Sequence, residues 1–130
     1  MSQRTRITLV NDTPEYLQLI VDYLSAEGYE ILTIPNHQHV FEQLQESNPD
    51  IIICDVTFDN EAHGFSLIDM LYLEPKTRDI PFILCAPATQ RMQEVSPSLA
   101  AKGISWLEKP FEIESLISLL KRIEQTDRNV

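Results

Sequence analysis

Apolar positions in this chain come in short blocks separated by longer amphipathic stretches. "RITLV" (6–10), "EILTIP" (30–35), "DIIIC" (50–54), "IPFILCA" (80–86) and "ISWLE" (104–108) are β-branched apolar runs. Runs of this length, bounded by turn residues, read as strands buried on both faces. The stretches between them carry apolar residues at helical spacing. Leu17, Ile20, Val21 and Leu24 form one stripe, and Val40, Phe41 and Leu44 a second. Leu67, Ile68 and Leu71 lie on a helix expected from about Phe65 to Leu73. Ile113, Leu116, Ile117, Leu120 and Ile123 mark a final amphipathic helix.

The boundaries carry their own chemistry. Thr13 is a natural N-cap, Pro14 suits a first helical position, and Gly28 suits a C-terminal cap. Pro35 stops the second strand, and Asn36 can cap the second helix. The segment "PATQRMQEVSPSLAAKG" holds Pro97 where a helix interior would otherwise run. An interior proline costs roughly 3 kcal/mol or more. The expected fourth helix is therefore short, with Ser96 as N-cap, Pro97 at the first position and Gly103 as C-terminal cap. Residues 86–95 then form a loop or a separate turn. "TDRNV" (126–130) reads as a frayed end or the start of a linker.

Strand and helix alternating in this way imply an α/β fold, a five-stranded parallel sheet with helices on both faces. Its connections are right-handed, and the common order for five strands is 2-1-3-4-5. That order sets the first and third strands side by side at the topological switch point, where such folds bind ligands at the carboxyl ends of their strands. The first strand ends in Val10-Asn11-Asp12, the third in Asp55, and the fifth in Glu108-Lys109-Pro110. Asp12, Asp55 and Lys109 are thus expected at one sheet edge.

The 130 residues suffice for one domain, with a core at about 6–124 and a tail at 125–130. A net charge of −10 opposes direct contact with nucleic-acid phosphates or anionic lipid. No stretch approaches the roughly 18 apolar residues of a membrane span. "MSQRTR" lacks the apolar core of a signal peptide. Cys54 and Cys85 lie in apolar runs and read as reduced core residues of a cytoplasmic protein.

Two carboxylates facing a lysine suit a hard cation and a phosphoryl group. Mg²⁺ takes oxygen ligands, commonly one or two carboxylates with waters and phosphate oxygens. Asp12 and Asp55 can supply carboxylates, and a loop carbonyl such as that of Thr57 a third ligand. Lys109 can pair with phosphoryl oxygens. An aspartate can also be the nucleophile of an aspartyl-phosphate.

Each of these residues also has a plainer reading. Asp55 can end a strand, Asp12 can favour a helix entry through the dipole, and Lys109 can be a solvated lysine. Their joint placement at matching strand ends favours a site. His37, His39 and His63 are scattered, and two imidazoles at 37 and 39 make a weak metal site. Tyr16, Tyr23 and Tyr72 read as helix packing. A phosphatase of the haloacid-dehalogenase type would need Asp-x-Asp-x-Thr, whereas the stretch here is Asp55-Val56-Thr57-Phe58-Asp59 on the third strand. Three unclustered glycines, Gly28, Gly64 and Gly103, make no phosphate-cradling loop.

"LVNDTPEYLQLIVDYLSAEGYE", "PDIIICDV", "IPFIL" and "WLEKPF", in this order and spacing, resemble the receiver domain of bacterial two-component response regulators. The resemblance covers about residues 6–124. The strand order invoked above is one that this family displays, so the two arguments overlap. The resemblance implies a flavodoxin-like receiver fold forming a single receiver domain. It implies a phosphoacceptor at Asp55, a phosphoryl-binding lysine at Lys109, a direct Mg²⁺ ligand at Asp12, and often a cis bond before Pro110. Asn11 stands beside the metal where the family usually carries a second acid. The expected metal set is Asp12, Asn11, Asp55 and the Thr57 carbonyl. Trp106 matches the aromatic that moves on activation, and Ala86 the switching Ser or Thr.

The implied donor is a histidine kinase or a phosphotransfer protein. The implied reader is a downstream effector protein or a fused output domain, and a homodimer through the fourth and fifth helices is a family habit. The domain is then a regulatory acceptor, not an enzyme. The departures point to an alternative, a degenerate receiver that binds a partner without phosphorylation. Asn11 removes a charge, weakening Mg²⁺ binding by on the order of one to a few kcal/mol before screening. Ala86 lacks the hydroxyl that draws the fourth-strand loop inward; Thr57 and Thr89 are the nearby replacements. Phe58-Asp59 replaces the family's Met-Pro, and Gly64 comes one residue late.

Overall fold

The computed structural model describes residues 4–11, 14–34, 39–57 and 63–128. Five strands alternate with five helices: β1 (Arg6–Val10), α1 (Pro14–Ala26), β2 (Glu30–Ile34), α2 (Val40–Ser47), β3 (Ile51–Asp55), α3 (His63–Leu73), β4 (Phe82–Pro87), α4 (Gln90–Ala101), β5 (Ile104–Lys109) and α5 (Ile113–Arg128). All neighbouring strands are parallel, in the order β2-β1-β3-β4-β5. This is the expected sheet.

The period of two along each strand divides the core. Ile7, Leu9, Ile51, Ile53, Ile83 and Cys85 point to one face and pack under Ile20 and Leu24 of α1 and Leu116 and Leu120 of α5. Val10, Ile52, Cys54, Leu84 and Ala86 point to the other, beneath α2, α3 and α4. Central β3 is buried at all five residues, which is why its sequence is a continuous apolar run and not an alternating one. Cys54 and Cys85 are both free and buried, on opposite faces of the sheet. No helix among the described residues is long and apolar enough to cross a membrane.

Helix ends follow local chemistry. Gly28 adopts φ +96° after α1, and the Tyr29 N–H returns to Leu24 O at 3.2 Å, as a glycine cap requires. Thr13 and Asn36, expected as N-caps, lie outside the described residues, as do His37 and the Phe58-Asp59 pair. His39 instead precedes α2, in the left-handed region at φ 56°.

The fourth helix differs from expectation. It begins seven residues before Pro97, which sits inside it. Residues 90–95 are helical, not loop. Thr89 is the N-cap, its hydroxyl oxygen accepting from Met92 N–H at 3.1 Å. Two features offset the proline. The Gln93 carbonyl, deprived of the missing N–H at 97, accepts a 3.3 Å bond from Ser96 Oγ. Met92 and Leu99, seven residues apart and both buried, anchor the helix with about 1.5–3 kcal/mol apiece. Gly103 follows at φ +80°, as expected.

The carboxyl tail also differs. α5 continues through Arg128, so residues 125–128 are helical. Just before it, Glu124 ties α5 to the residues leading into β2 and β1: Tyr29 Oη donates to Oε1 at 2.6 Å and Thr5 Oγ1 to Oε2 at 2.8 Å. Tyr23 and Tyr72 are 47% and 39% exposed, so neither is simple helix packing. Tyr72 lies against two cations, Arg78 at 5.8 Å and Lys102 at 5.3 Å from its ring centre.

Candidate functional site

Three strand ends meet at the carboxyl edge of the sheet. Asp55 is the last residue of β3 and is 6% exposed. Lys109 is the last residue of β5, two strands away, roughly 10 Å at ordinary strand spacing. Its extended side chain bridges that gap, with Nζ 2.9 Å from Asp55 Oδ1. Asn11 follows β1 directly, its N–H bonded to Ile34 O at 3.3 Å. Its side-chain amide donates to Asp55 Oδ2 at 2.8 Å. Both carboxylate oxygens therefore have a donor, one charged and one neutral.

This pairing makes a carboxylate tolerable in a nearly buried position. An uncompensated charge there would cost several kcal/mol. The field of Asp55 reaches its neighbours. Cys85, its register partner on β4, has its thiol pushed up to about 12, first by burial and then by the Asp55 charge. Burial and the same charge also raise Cys54 well above the ordinary thiol value. Neither thiol is a nucleophile at neutral pH.

The floor under Asp55 is tight. Gly64, in the first turn of α3, donates its N–H to Val56 O at 3.0 Å. A Cβ at residue 64 would stand 2.8 Å from Val56 Cα and 2.9 Å from Asp55 O. Here glycine answers a close backbone approach. The sequence showed Gly64 only as a displaced glycine; its contact with the end of β3 becomes visible in three dimensions.

Of the expected set, Asp55, Lys109 and Asn11 are brought together. Asp12 lies outside the described residues. Thr57 is exposed just beyond β3. The Lys109–Pro110 peptide is cis. Ala86 is fully buried, and its carbonyl accepts the indole N–H of Trp106 at 3.0 Å. Trp106 is partly buried beside α4 and α5. Thr89 is engaged as the α4 cap. Among the described residues no three His, Cys, Asp or Glu side chains cluster as a metal cage. The Asp55 carboxylate and the Asn11 amide oxygen are hard donors, of the kind Mg²⁺ takes rather than a softer metal.

A family model for the response regulator receiver domain matches residues 7–121. The chain belongs to the response regulator receiver family. As a receiver it is 30% identical over 117 residues to the phosphate regulon transcriptional regulatory protein PhoB of Rhizobium meliloti, covering 89% of this chain and 50% of that protein. It is 22% identical to the chemotaxis protein CheY of Thermotoga maritima, covering 92% of this chain and 98% of that protein. The receiver spans about half the length of several curated relatives it matches, 51% for PhoB of Klebsiella pneumoniae and 47% for BaeR of Escherichia coli. Among solved structures, chemotaxis response regulator CheY4 of Vibrio cholerae superposes with a TM-score of 0.80 at 24% identity, covering 93% of this chain and 99% of that one. The signal receiver domain of a signal transduction histidine kinase from Syntrophus aciditrophicus gives a TM-score of 0.77 at 28% identity, covering 91% and 88%.

Proposed function

We propose that this receiver accepts a phosphoryl group on Asp55 and passes the resulting change to a protein partner. One observation carries the reading: a nearly buried carboxylate at the switch point with an ammonium 2.9 Å from one oxygen. In the transfer, an Asp55 oxygen forms a bond to phosphorus as the phosphorus–nitrogen bond of a donor phosphohistidine breaks. The leaving imidazole nitrogen takes its proton from solvent. Lys109 follows the incoming negative charge from the carboxylate to the phosphoryl oxygens. Asn11 keeps the other carboxylate oxygen oriented.

Asp55, Asn11, the Thr57 carbonyl and Asp12 are the residues that would hold Mg²⁺. When bound, Mg²⁺ supplies positive charge to the phosphoryl oxygens. The donor is a histidine kinase or a phosphotransfer protein, and the reader is an effector protein or a fused output domain. Because the chain spans about half of several relatives, an output half on the same polypeptide is part of this proposal.

The experiment is intact-protein mass after incubation with acetyl phosphate, with and without Mg²⁺, on wild type and Asp55→Asn. A phosphoryl adduct on wild type that Asp55→Asn lacks supports the reading. Absence of the adduct, with beryllofluoride also failing to bind, overturns it.

A second reading has its own support. Ala86 offers no hydroxyl to a phosphoryl group, and the Trp106 indole is already bonded to its carbonyl. A receiver held this way can bind a partner without phosphorylation. Equal partner affinity of wild type and Asp55→Asn, under phosphorylating conditions, supports that reading over the first.

A further inference from the structure

Helix α4 is lightly seated on the sheet. Met92 and Leu99 are its buried residues, with Val95 half-buried between them, and Pro97 removes one bond from its ladder. Two cations lie along it, Arg91 in its first turn and Lys102 at its C-cap, eleven residues or three turns apart. Helix α3 carries two rings, Phe65 and Tyr72, seven residues or two turns apart. Whole-turn spacing puts each pair on one side of its own helix. The two sides meet. The Arg91 guanidinium stands 5.0 Å from the centre of the Phe65 ring. Lys102 Nζ stands 5.3 Å from the centre of the Tyr72 ring and 3.6 Å from Asp69 Oδ1. Both ring contacts lie within cation–π range. The Asp69 pair adds little, because that side chain is 69% exposed. Arg78 fixes the far end of α3, its Nε–H donating to Tyr72 O at 3.0 Å. The two helices are thus tied once near each end.

The first tie begins beside Asp55. Phe65 follows Gly64, whose N–H is bonded to Val56 O at 3.0 Å and where a Cβ would stand 2.9 Å from Asp55 O. Backbone packed this closely moves as one piece, so the first turn of α3 follows the end of β3. We propose that Arg91 and Lys102 are positioning residues that fasten α4 to α3, so that α4 takes its place from α3 and, through Phe65 and Gly64, from the backbone at Asp55. Residue 86 is an alanine, with no hydroxyl to draw the β4–α4 connection toward a phosphoryl group. Arg91 over Phe65 is then the link by which the state of Asp55 reaches α4. That link rests on the acceptor reading proposed above; the fastening of the two helices does not.

Two measurements test it. The fastening is read by urea unfolding of two double-mutant cycles, Arg91→Gln with Phe65→Leu and Lys102→Gln with Tyr72→Leu. Each cycle should show a coupling of about two- to fivefold in the unfolding equilibrium constant, the worth of an exposed cation–π pair. Arg91→Lys should restore most of what Arg91→Gln loses. Additive effects in either cycle overturn the fastening. The link to Asp55 is read by amide exchange across α3 and residues 90–101, with and without beryllofluoride and Mg²⁺, on wild type and on Arg91→Gln with Lys102→Gln. Wild type should change in α3 and α4 together. The double variant, equally saturated, should keep the change in α3 and lose the one in α4. Ties that only stabilise would lower the melting temperature and leave the α4 response intact, which overturns the proposal. A wild-type response in α3 that never reaches α4 overturns it as well. Beryllofluoride that binds neither protein overturns the acceptor reading, and the link to Asp55 with it, and the cycles then decide the fastening.

Discussion

Replacing Gly64 by alanine tests how closely the acceptor strand and α3 are fitted. The added Cβ would lie 2.8 Å from Val56 Cα, 2.9 Å from Asp55 O and 3.0 Å from Val56 O. All three are backbone atoms, so no side chain can rotate away. Carbon atoms settle about 3.5 Å or more apart, so the first turn of α3 must retreat by roughly 0.7 Å. Overpacking of this kind costs about 1–3 kcal/mol. The Gly64 N–H to Val56 O bond, 3.0 Å long, weakens with it, adding about 0.5–1.5 kcal/mol. Alanine's better helix propensity returns about 0.5–1 kcal/mol. The net loss is about 2 kcal/mol, worth roughly 8 °C in melting temperature for a domain of this size. Urea and thermal unfolding measure the loss, and acetyl phosphate labelling measures its effect on the site. Because Asp55 O is among the crowded atoms, labelling should slow more than in an equally destabilised variant with its substitution far from the crevice. A Gly64→Ala protein that melts like wild type would refute the close approach. One that melts lower but labels at the control rate would refute its link to Asp55.

Three further outcomes follow from the same structure. The buried thiols have their ionisation raised in the fold, Cys85 to about 12, while unfolded thiols ionise near their ordinary value of 9.0. The stability they contribute is therefore complete below pH 9 and is lost as pH rises towards 12, at up to about 1.4 kcal/mol per pH unit per thiol; alanine at both positions should flatten that decline in denaturant titrations. With its indole N–H on the Ala86 carbonyl and no hydroxyl at residue 86, Trp106 should change its fluorescence little when beryllofluoride binds. A large shift in intensity or wavelength would contradict this, and Trp106→Phe should cost about 1 kcal/mol by deleting the bond. Thr89→Ala should cost about 1 kcal/mol and fray the start of α4, read by circular dichroism and by amide exchange at Met92.

The fold was legible because its signals are local and repeated. Ile51 to Cys54 could only be a doubly buried strand, and the helical stripes between the runs left few alternatives. The convergence of Asp55 and Lys109 followed from strand order alone. What the sequence hid depends on contacts between distant elements. Asn11 reads as a missing acid, and only its 2.8 Å bond to Asp55 shows it as a donor. Pro97 reads as a helix start, because the rule against interior proline is strong. The rule yielded to Thr89 on one side, to buried Met92 and Leu99 beneath, and to Ser96 at the vacated carbonyl. Tyr72 reads as packing because nothing near it in sequence announces Lys102, thirty residues on.

The departures from the family pattern share one physical direction. Asn11 sets a neutral amide donor on Asp55 Oδ2 where the family pattern has an acid. Ala86 replaces a hydroxyl that would answer a phosphoryl group with a methyl that cannot, and its carbonyl is claimed by Trp106. Thr89, the next hydroxyl along, is spent on holding α4. Asn11, the Ala86 carbonyl and Thr89 are each bonded within the fold. On the proposed function Asp55 and Lys109 carry acceptance, while residue 86 offers no hydroxyl between Asp55 and α4. A signal leaving Asp55 must then travel through backbone position. The tightest backbone contact at the acceptor is with Gly64 and the start of α3, so α3 is the element whose motion should report the phosphoryl state. Amide exchange at His63–Leu67, compared with and without beryllofluoride, would show it. A change confined to α4 and β5 would return the signal to the family's usual route.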